Sequence, residues 1–237
     1  LFSDVRNFSR ISENLGPKRT FVMMQEVMEL QSVRIRETDG VVVDYVGDGL
    51  LAMWNAPTDQ HDHPVRACKA AIAFLRDLPE LSARWEGEAR EPIRLGVGIH
   101  TGPALVGNTG SRVKFKYGPM GPAVNLASRL ENATKTVGVG AVISRFTRDR
   151  LPAHFGTRRL GGLLAQPADV LGALRHHEIV IVSANPTAHP RHAGAVPHEL
   201  VGPAVIAGVP VFPLATMSSS VSRIARAEVG PQVRPRK

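Results

Sequence analysis

A β-hairpin between two helical segments is the sequence feature that most restricts the fold. Two apolar runs, Val41 to Val46 and Leu50 to Trp54, flank Gly47-Asp48-Gly49, whose residue types suit the tip of a hairpin. Apolar residues recur at helical spacing from Pro17 to Glu37, and a second amphipathic helix is predicted from His63 to Leu81. A hairpin with a helix on each side predicts helices packed against a sheet.

The segment that follows continues this alternation. The predicted elements are a strand at Ile93 to His100, a strand begun by Ala104-Leu105-Val106, a helix at Val124 to Asn132, a strand at Val142 to Ser144 and a helix at Arg145 to Leu151. The alternation predicts an α/β fold, as an α+β sandwich. The opening Leu1-Phe2-Ser3-Asp4-Val5 has the composition of a strand, so we expect the natural domain to begin upstream.

The composition changes after about residue 160. Ten of the 18 prolines fall in the last 87 residues, where no helical period is sustained. We therefore predict a domain over residues 1–160 and an irregular or disordered extension over residues 161–237, poorly ordered beyond about residue 185. Two apolar patches in the extension are candidate strands, Glu178 to Val182 and Val201 to Val211. Prolines 203 and 210 argue against a central strand in the second.

The charge and the cysteine content indicate which partners and which cellular compartment suit this chain. The net charge is +8, but residues 1–150 hold 20 Lys+Arg against 17 Asp+Glu, so most of the excess lies in the tail. Aromatic residues make up 5% of the chain, too few for stacking on single strands, and we expect no nucleic-acid partner. The lone Cys68 cannot form an internal disulfide and indicates a reducing compartment. We expect a cytoplasmic segment without membrane contact, although an upstream segment could be anchored.

Two acids stand in apolar strand sequence. Asp4 lies within the opening strand and Asp48 at the hairpin tip. An isolated Asp in a turn is usually only a turn residue. Paired carboxylates on adjacent strands, however, suit two Mg²⁺ ions about 3.5 to 4 Å apart, because hard cations prefer oxygen ligands.

Four stretches follow one another in a specific order. They are residues 1–9 (LFSDVRNFS), 45–57 (YVGDGLLAMWNAP), 96–102 (GVGIHTG) and 121–131 (GPAVNLASRLE). Together they resemble the class III adenylate/guanylate cyclase family over about residues 1–160. The resemblance implies a ferredoxin-like βαββαβ fold of the palm type. It also implies conversion of a purine nucleoside triphosphate to its 3′,5′-cyclic monophosphate and pyrophosphate, in signal transduction.

The resemblance also implies roles for individual residues. Asp4 and Asp48 would hold two Mg²⁺ or Mn²⁺ ions, with the main-chain carbonyl of Val5 as a further ligand. Asn125 would orient the ribose, and Arg129 would neutralise phosphate charge in the transition state. The residues that would bind substrate are Asn7, Phe8 and Ser9 through their main-chain amides, together with Asp44, Gly47 and Gly118.

The family pairs head to tail, so the resemblance implies a homodimer in which one protomer supplies the metals and the other supplies Asn125 and Arg129. Base choice stays open between ATP, which we favour, and GTP. Adenylate-type members commonly carry a lysine and a threonine or aspartate where this chain has Asp44 and Gly118. A catalytically silent cyclase homologue with a regulatory role is the rival hypothesis. The family's triphosphate-binding lysine would fall near Ala165-Gln166-Pro167, where this sequence has no Lys or Arg.

Overall fold

The structure is a computed structural model that describes residues 1–159 and 179–182. Its helices are α1 (Phe8–Glu37), α2 (His63–Ala89), α3 (Pro122–Val137) and α4 (Arg145–Arg148). Its strands are β1 (Phe2–Val5), β2 (Val41–Val46), β3 (Gly49–Met53), β4 (Leu95–Ile99), β5 (Leu105–Gly110), β6 (Phe115–Met120), β7 (Ala141–Ser144), β8 (Thr157–Arg159) and β9 (Ile179–Val182). No helix among these residues is long and apolar enough to span a bilayer.

Seven strands form one sheet in the order β2-β3-β1-β4-β7-β9-β8, and β5 pairs with β6 in a separate hairpin. The pairs β2–β3, β1–β3 and β1–β4 are all antiparallel, whereas β7 joins β4 in parallel. Elements β1 to β4 with α1 and α2 therefore form the predicted ferredoxin-like βαββαβ unit. The α+β sandwich is confirmed.

The alternation of large and small residues in β4 separates two layers of helices. Leu95, Val97 and Ile99 are buried in the main core, which they share with α1 and α2. Gly96 and Gly98 face the other way, and α3 packs on them. A Cβ at Gly98 would lie 2.2 Å from the main-chain nitrogen of Glu131, so a residue without a side chain is required for this approach.

The predicted helices are present, but their ends differ. The helix predicted from Pro17 begins already at Phe8, and Gly16 interrupts it with a φ of 69°, so two helical segments join at a kink. The second helix continues past the predicted end to Ala89. The last helix stops at Arg148, before Leu151. The main-chain N–H of Asp149 still donates to the carbonyl four residues back, whereas those of Arg150 and Leu151 donate to carbonyls three residues back, as in a turn.

One candidate strand of the extension belongs to the sheet. Strand β9 pairs antiparallel with both β7 and β8, so the sheet continues past the boundary predicted at residue 160. The second apolar patch (201–211), the site of the missing lysine (165–167) and the tail beyond residue 185 lie outside the described residues.

Candidate active site

The sheet brings the two predicted acids together. Asp4 in β1 stands opposite Gly49 of β3, and Asp48 immediately precedes that glycine at the tip of the β2–β3 hairpin. The pKa of Asp48 is raised, first because burial removes water from the carboxylate and second because Asp4 places a like charge beside it. Two repelling carboxylates at one edge of a sheet form a site that favours a cation.

The two carboxylates fit a divalent cation that takes its remaining ligands from water, the main chain or the substrate. No group of three or more His, Cys, Asp or Glu side chains arranged for a metal occurs within the described part of the chain. A metal bound by Asp4 and Asp48 would therefore need main-chain carbonyls, water or substrate as its other ligands. Mg²⁺ is commonly bound in that way, through one or two carboxylates and substrate phosphates.

A lysine from the opposite layer also reaches this edge. The Nζ of Lys135, on α3, lies 3.1 Å from Oδ2 of Asp4 and 3.4 Å from Oδ1 of Asn132. It also counteracts the rise in the pKa of Asp48. Lys135 was not among the residues predicted from the sequence, because nothing local indicates that α3 contacts β1.

A buried ion pair holds α3 beside β1. Nη1 of Arg6 lies 3.0 Å from Oε1 of Glu131, with side-chain exposures of 15% and 7%. Nη2 of Arg6 also donates a hydrogen bond of 3.3 Å to the main-chain carbonyl of Glu131. Burial raises the pKa of Glu131, and the guanidinium of Arg6 opposes that shift. Gly96 provides the space, because a Cβ there would overlap the guanidinium of Arg6.

The residues predicted to bind phosphates stand at the start of α1. Asn7 precedes the helix with a φ of 56°, and its side-chain Nδ2 donates a hydrogen bond of 3.0 Å to Oε2 of Glu91, which leaves its main-chain N–H out of this contact. Phe8 and Ser9 are the first two residues of α1, whose first turn carries no acidic side chain. The first amides of a helix lack partners within the helix and attract anions.

Asn125 and Arg129 are one helical turn apart on α3. Leu126, Ala127 and Leu130 are buried against the sheet, whereas Asn125 is exposed and Arg129 half-buried. In the described part of the chain, no hydrogen bond or ion pair links either residue to Asp4 or Asp48. The ten residues from Asn125 to Lys135 correspond to about 15 Å along a helix. Asn125 is therefore well separated from the acids of its own chain.

The residues predicted to read the base lie where β2 meets β6. Oδ2 of Asp44 accepts a hydrogen bond of 2.8 Å from Nζ of Lys116, and this contact lowers the pKa of the carboxyl. A Cβ at Gly118 would lie 2.5 Å from Cγ1 of Val43, so the two strands approach closely there. Lys116 and Gly118 share a face of β6. Gly47 has a φ of 63°, as the turn requires.

A family model matches most of the chain. The model described as "Adenylate and Guanylate cyclase catalytic domain" matches residues 1–159. The chain belongs to this family.

Relatives of the cyclase domain act on either purine. "Adenylate cyclase 1" of Rhizobium meliloti is 35% identical over 144 residues, which cover 61% of this chain and 22% of that protein. "Guanylate cyclase soluble subunit beta-2" of Rattus norvegicus is 30% identical over 132 residues, covering 56% and 19%. The match thus spans about a fifth of each of these proteins.

Solved structures agree on the fold. The adenylyl cyclase CyaB from P. aeruginosa matches with a TM-score of 0.69 and 28% identity, over 77% of this chain and 91% of that one. The guanylyl cyclase Cya2 matches with a TM-score of 0.59 and 28% identity, over 76% and 87%. The predicted family and fold of the cyclase domain are confirmed, and the roles assigned to individual residues stay predictions.

Proposed function

We propose that this domain is an active cyclase that converts a purine nucleoside triphosphate to the 3′,5′-cyclic monophosphate and pyrophosphate. The observation that carries the proposal is the convergence of Asp4 and Asp48, where burial first and the like charge of Asp4 second raise the pKa of Asp48. Such a pair destabilises the metal-free fold through charge repulsion. Two Mg²⁺ or Mn²⁺ ions would neutralise this repulsion and would use the carboxylates as ligands.

Each part of the site has a task in this reaction. Asp4, Asp48 and the carbonyl of Val5 hold the metals. When bound, the metals lower the pKa of the ribose 3′-hydroxyl and offset charge on the phosphates. The main-chain amides of Asn7, Phe8 and Ser9, at the start of α1, orient the triphosphate. Gly47, in the turn beside Asp48, also contacts the substrate.

The site is shared between two protomers in this proposal. Asn125 stands about 15 Å along α3 from Lys135, the residue of that helix that contacts Asp4. Asn125 would therefore serve the acids of a second copy in a head-to-tail homodimer, and Arg129, one turn away on the same helix, would act there with it. There Asn125 orients the ribose, and Arg129 neutralises charge as pyrophosphate leaves.

Base selection falls to Asp44, with Gly118 beside it. The ion pair between Asp44 and Lys116 presents an acceptor and a donor side by side. Adenine offers the complementary N6 amino donor and N1 acceptor. The pair fits ATP, which we prefer because the relative that is 35% identical is named an adenylate cyclase. GTP is the second candidate, because guanine offers an O6 acceptor and two donors to the same groups.

Product formation from each triphosphate is the direct test. Purified protein is incubated with ATP or GTP and Mg²⁺ or Mn²⁺, and cyclic nucleotide is measured. We expect more cyclic AMP than cyclic GMP, and a loss of about 100-fold or more in Asp4→Asn and Asp48→Asn because the metals lose a ligand. Asp59→Asn, which removes an exposed acid, is the matched control and should keep its activity.

Two results would contradict the proposal. Full activity in Asp4→Asn or Asp48→Asn would exclude the metal site. The absence of any cyclic product, with nucleotide binding retained, would favour a silent regulatory homologue. A clear excess of cyclic GMP would leave the cyclase in place and reverse the choice of base.

A further inference from the structure

Lys135 already places a positive charge at the acidic edge of the sheet. Its Nζ is 3.1 Å from Oδ2 of Asp4, with the Lys135 side chain 49% exposed and the Asp4 side chain 25% exposed. Its charge also acts on the neighbouring Asp48, where it opposes the rise in pKa. One ammonium group therefore offsets both carboxylates.

This contact is built into the packing of α3. The buried pair of Arg6 and Glu131 joins β1 to the same helix, one turn before Lys135. Leu130 and Ala133 are buried on the side of α3 that faces the sheet. Gly98 of β4 has no side chain, so the main chain of α3 can pack closely against it. The main chain at Lys135 is thus held close to Asp4, while the long, flexible side chain can still move away.

We propose that Lys135 is an internal counter-charge for Asp4 and Asp48, and that a divalent cation binding to these acids displaces its ammonium group. Lys135 thereby lowers the affinity of the site for metal in the absence of nucleotide. The inference rests on the metal site of the proposed function. It adds a competing residue that no part of that function requires.

The charges of Lys135, the two acids and the metal predict the direction in which Lys135 changes stability and metal affinity. Without metal, Lys135 relieves the repulsion between the two carboxylates and stabilises the fold. With metal, the same positive charge lies beside a divalent cation and weakens its binding. Removal of one partly exposed unit charge should strengthen Mn²⁺ binding by about threefold to tenfold.

The test measures Mn²⁺ binding without nucleotide, by the electron paramagnetic resonance signal of free Mn²⁺. Wild type is compared with Lys135→Met, with Lys135→Arg and with Lys69→Met, which removes an exposed lysine of α2. We expect tighter binding only in Lys135→Met. Thermal unfolding supplies an independent measurement. Lys135→Met should melt about 1 to 3 °C lower than wild type in EDTA and gain more from Mn²⁺ than wild type does.

The outcomes separate this inference from the function on which it rests. Equal or weaker Mn²⁺ binding by Lys135→Met, in a protein whose wild type binds Mn²⁺, would overturn the counter-charge and leave the metal site standing. The Asp4→Asn variant tests the site itself. If it binds Mn²⁺ as wild type does, or if wild type binds none, the metal site of the proposed function is refuted, and the inference with it. A gain from Lys135→Met that persists in the Asp4→Asn background would also contradict the proposed displacement.

Discussion

Replacing Arg6 by methionine should destabilise the domain more than the loss of an exposed arginine does. Arg6 and Glu131 are both largely buried, and their charged atoms are 3.0 Å apart. Methionine keeps much of the apolar stem and removes the guanidinium. The carboxylate of Glu131 then remains in a site with little water and no ion-pair partner at 3.0 Å.

The expected loss is about 3 to 5 kcal/mol of the free energy of unfolding near pH 7, the range for breaking a buried pair by removing one partner. The loss should depend on pH. Burial raises the pKa of Glu131 above its ordinary value of 4.5, and Arg6 opposes the rise, so the pKa goes higher still without Arg6. A carboxyl with a raised pKa keeps its proton to a higher pH in the folded state than in the unfolded state. Its contribution to stability is therefore present at low pH and disappears as the pH rises through that pKa.

Urea denaturation at pH 5, 6, 7 and 8 measures this loss. The difference between wild type and Arg6→Met should be smallest at pH 5 and grow towards pH 8. Arg76→Met, which removes an exposed arginine paired with Asp77, should cost less than about 1 kcal/mol at every pH. Replacing both partners, as Arg6→Met with Glu131→Leu, should recover much of the stability because no buried charge remains. A loss below about 1 kcal/mol at pH 8, or one that does not vary with pH, would refute the claim that the pair is desolvated.

Four further experiments test other parts of the structure. Asp48→Asn should stabilise the metal-free fold, because the pKa of Asp48 is raised and its charged form is unfavourable in the folded state. The gain in the free energy of unfolding, measured by urea denaturation in EDTA, should grow as the pH rises above 3.8, the ordinary pKa of an aspartate. A gain that becomes smaller with rising pH would contradict this prediction. Gly98→Ala should cost more than about 2 kcal/mol because its Cβ would meet main-chain atoms of α3; a chemical denaturation midpoint equal to that of wild type would exclude the close contact. Mixing Asp48→Ala with Arg129→Ala, each inactive alone, should restore part of the cyclase activity, and heterodimers without activity would rule out shared sites. Limited proteolysis should leave a core that keeps β9 and ends near residue 185, whereas protection through Lys237 would show a folded tail.

Local patterns in the sequence predicted the four helices and most of the strands, although not β6 or β8, and the βαββαβ fold was implied by the resemblance to the cyclase family. The Gly47-Asp48-Gly49 turn identified the hairpin, and Asp48 was recognised as a candidate ligand at its tip. Periods of two and about 3.6 residues depend on which face of a single element is buried, so they can be read from neighbouring residues. The ends of elements were less predictable, since the kink at Gly16 and the extension of α1 to Phe8 depend on packing as well as propensity.

Only the tertiary structure shows which charged side chains surround the proposed site. Lys135 contacts Asp4 across 131 residues of sequence, Arg6 contacts Glu131 across 125, and Lys116 contacts Asp44 across 72. Each pair joins two elements whose relative position depends on strand order, on register and on the closeness of α3 to the glycines of β4. A pattern within one element carries no information about that position. The sequence could therefore identify the two acids, whereas only the folded sheet shows which cations lie beside them.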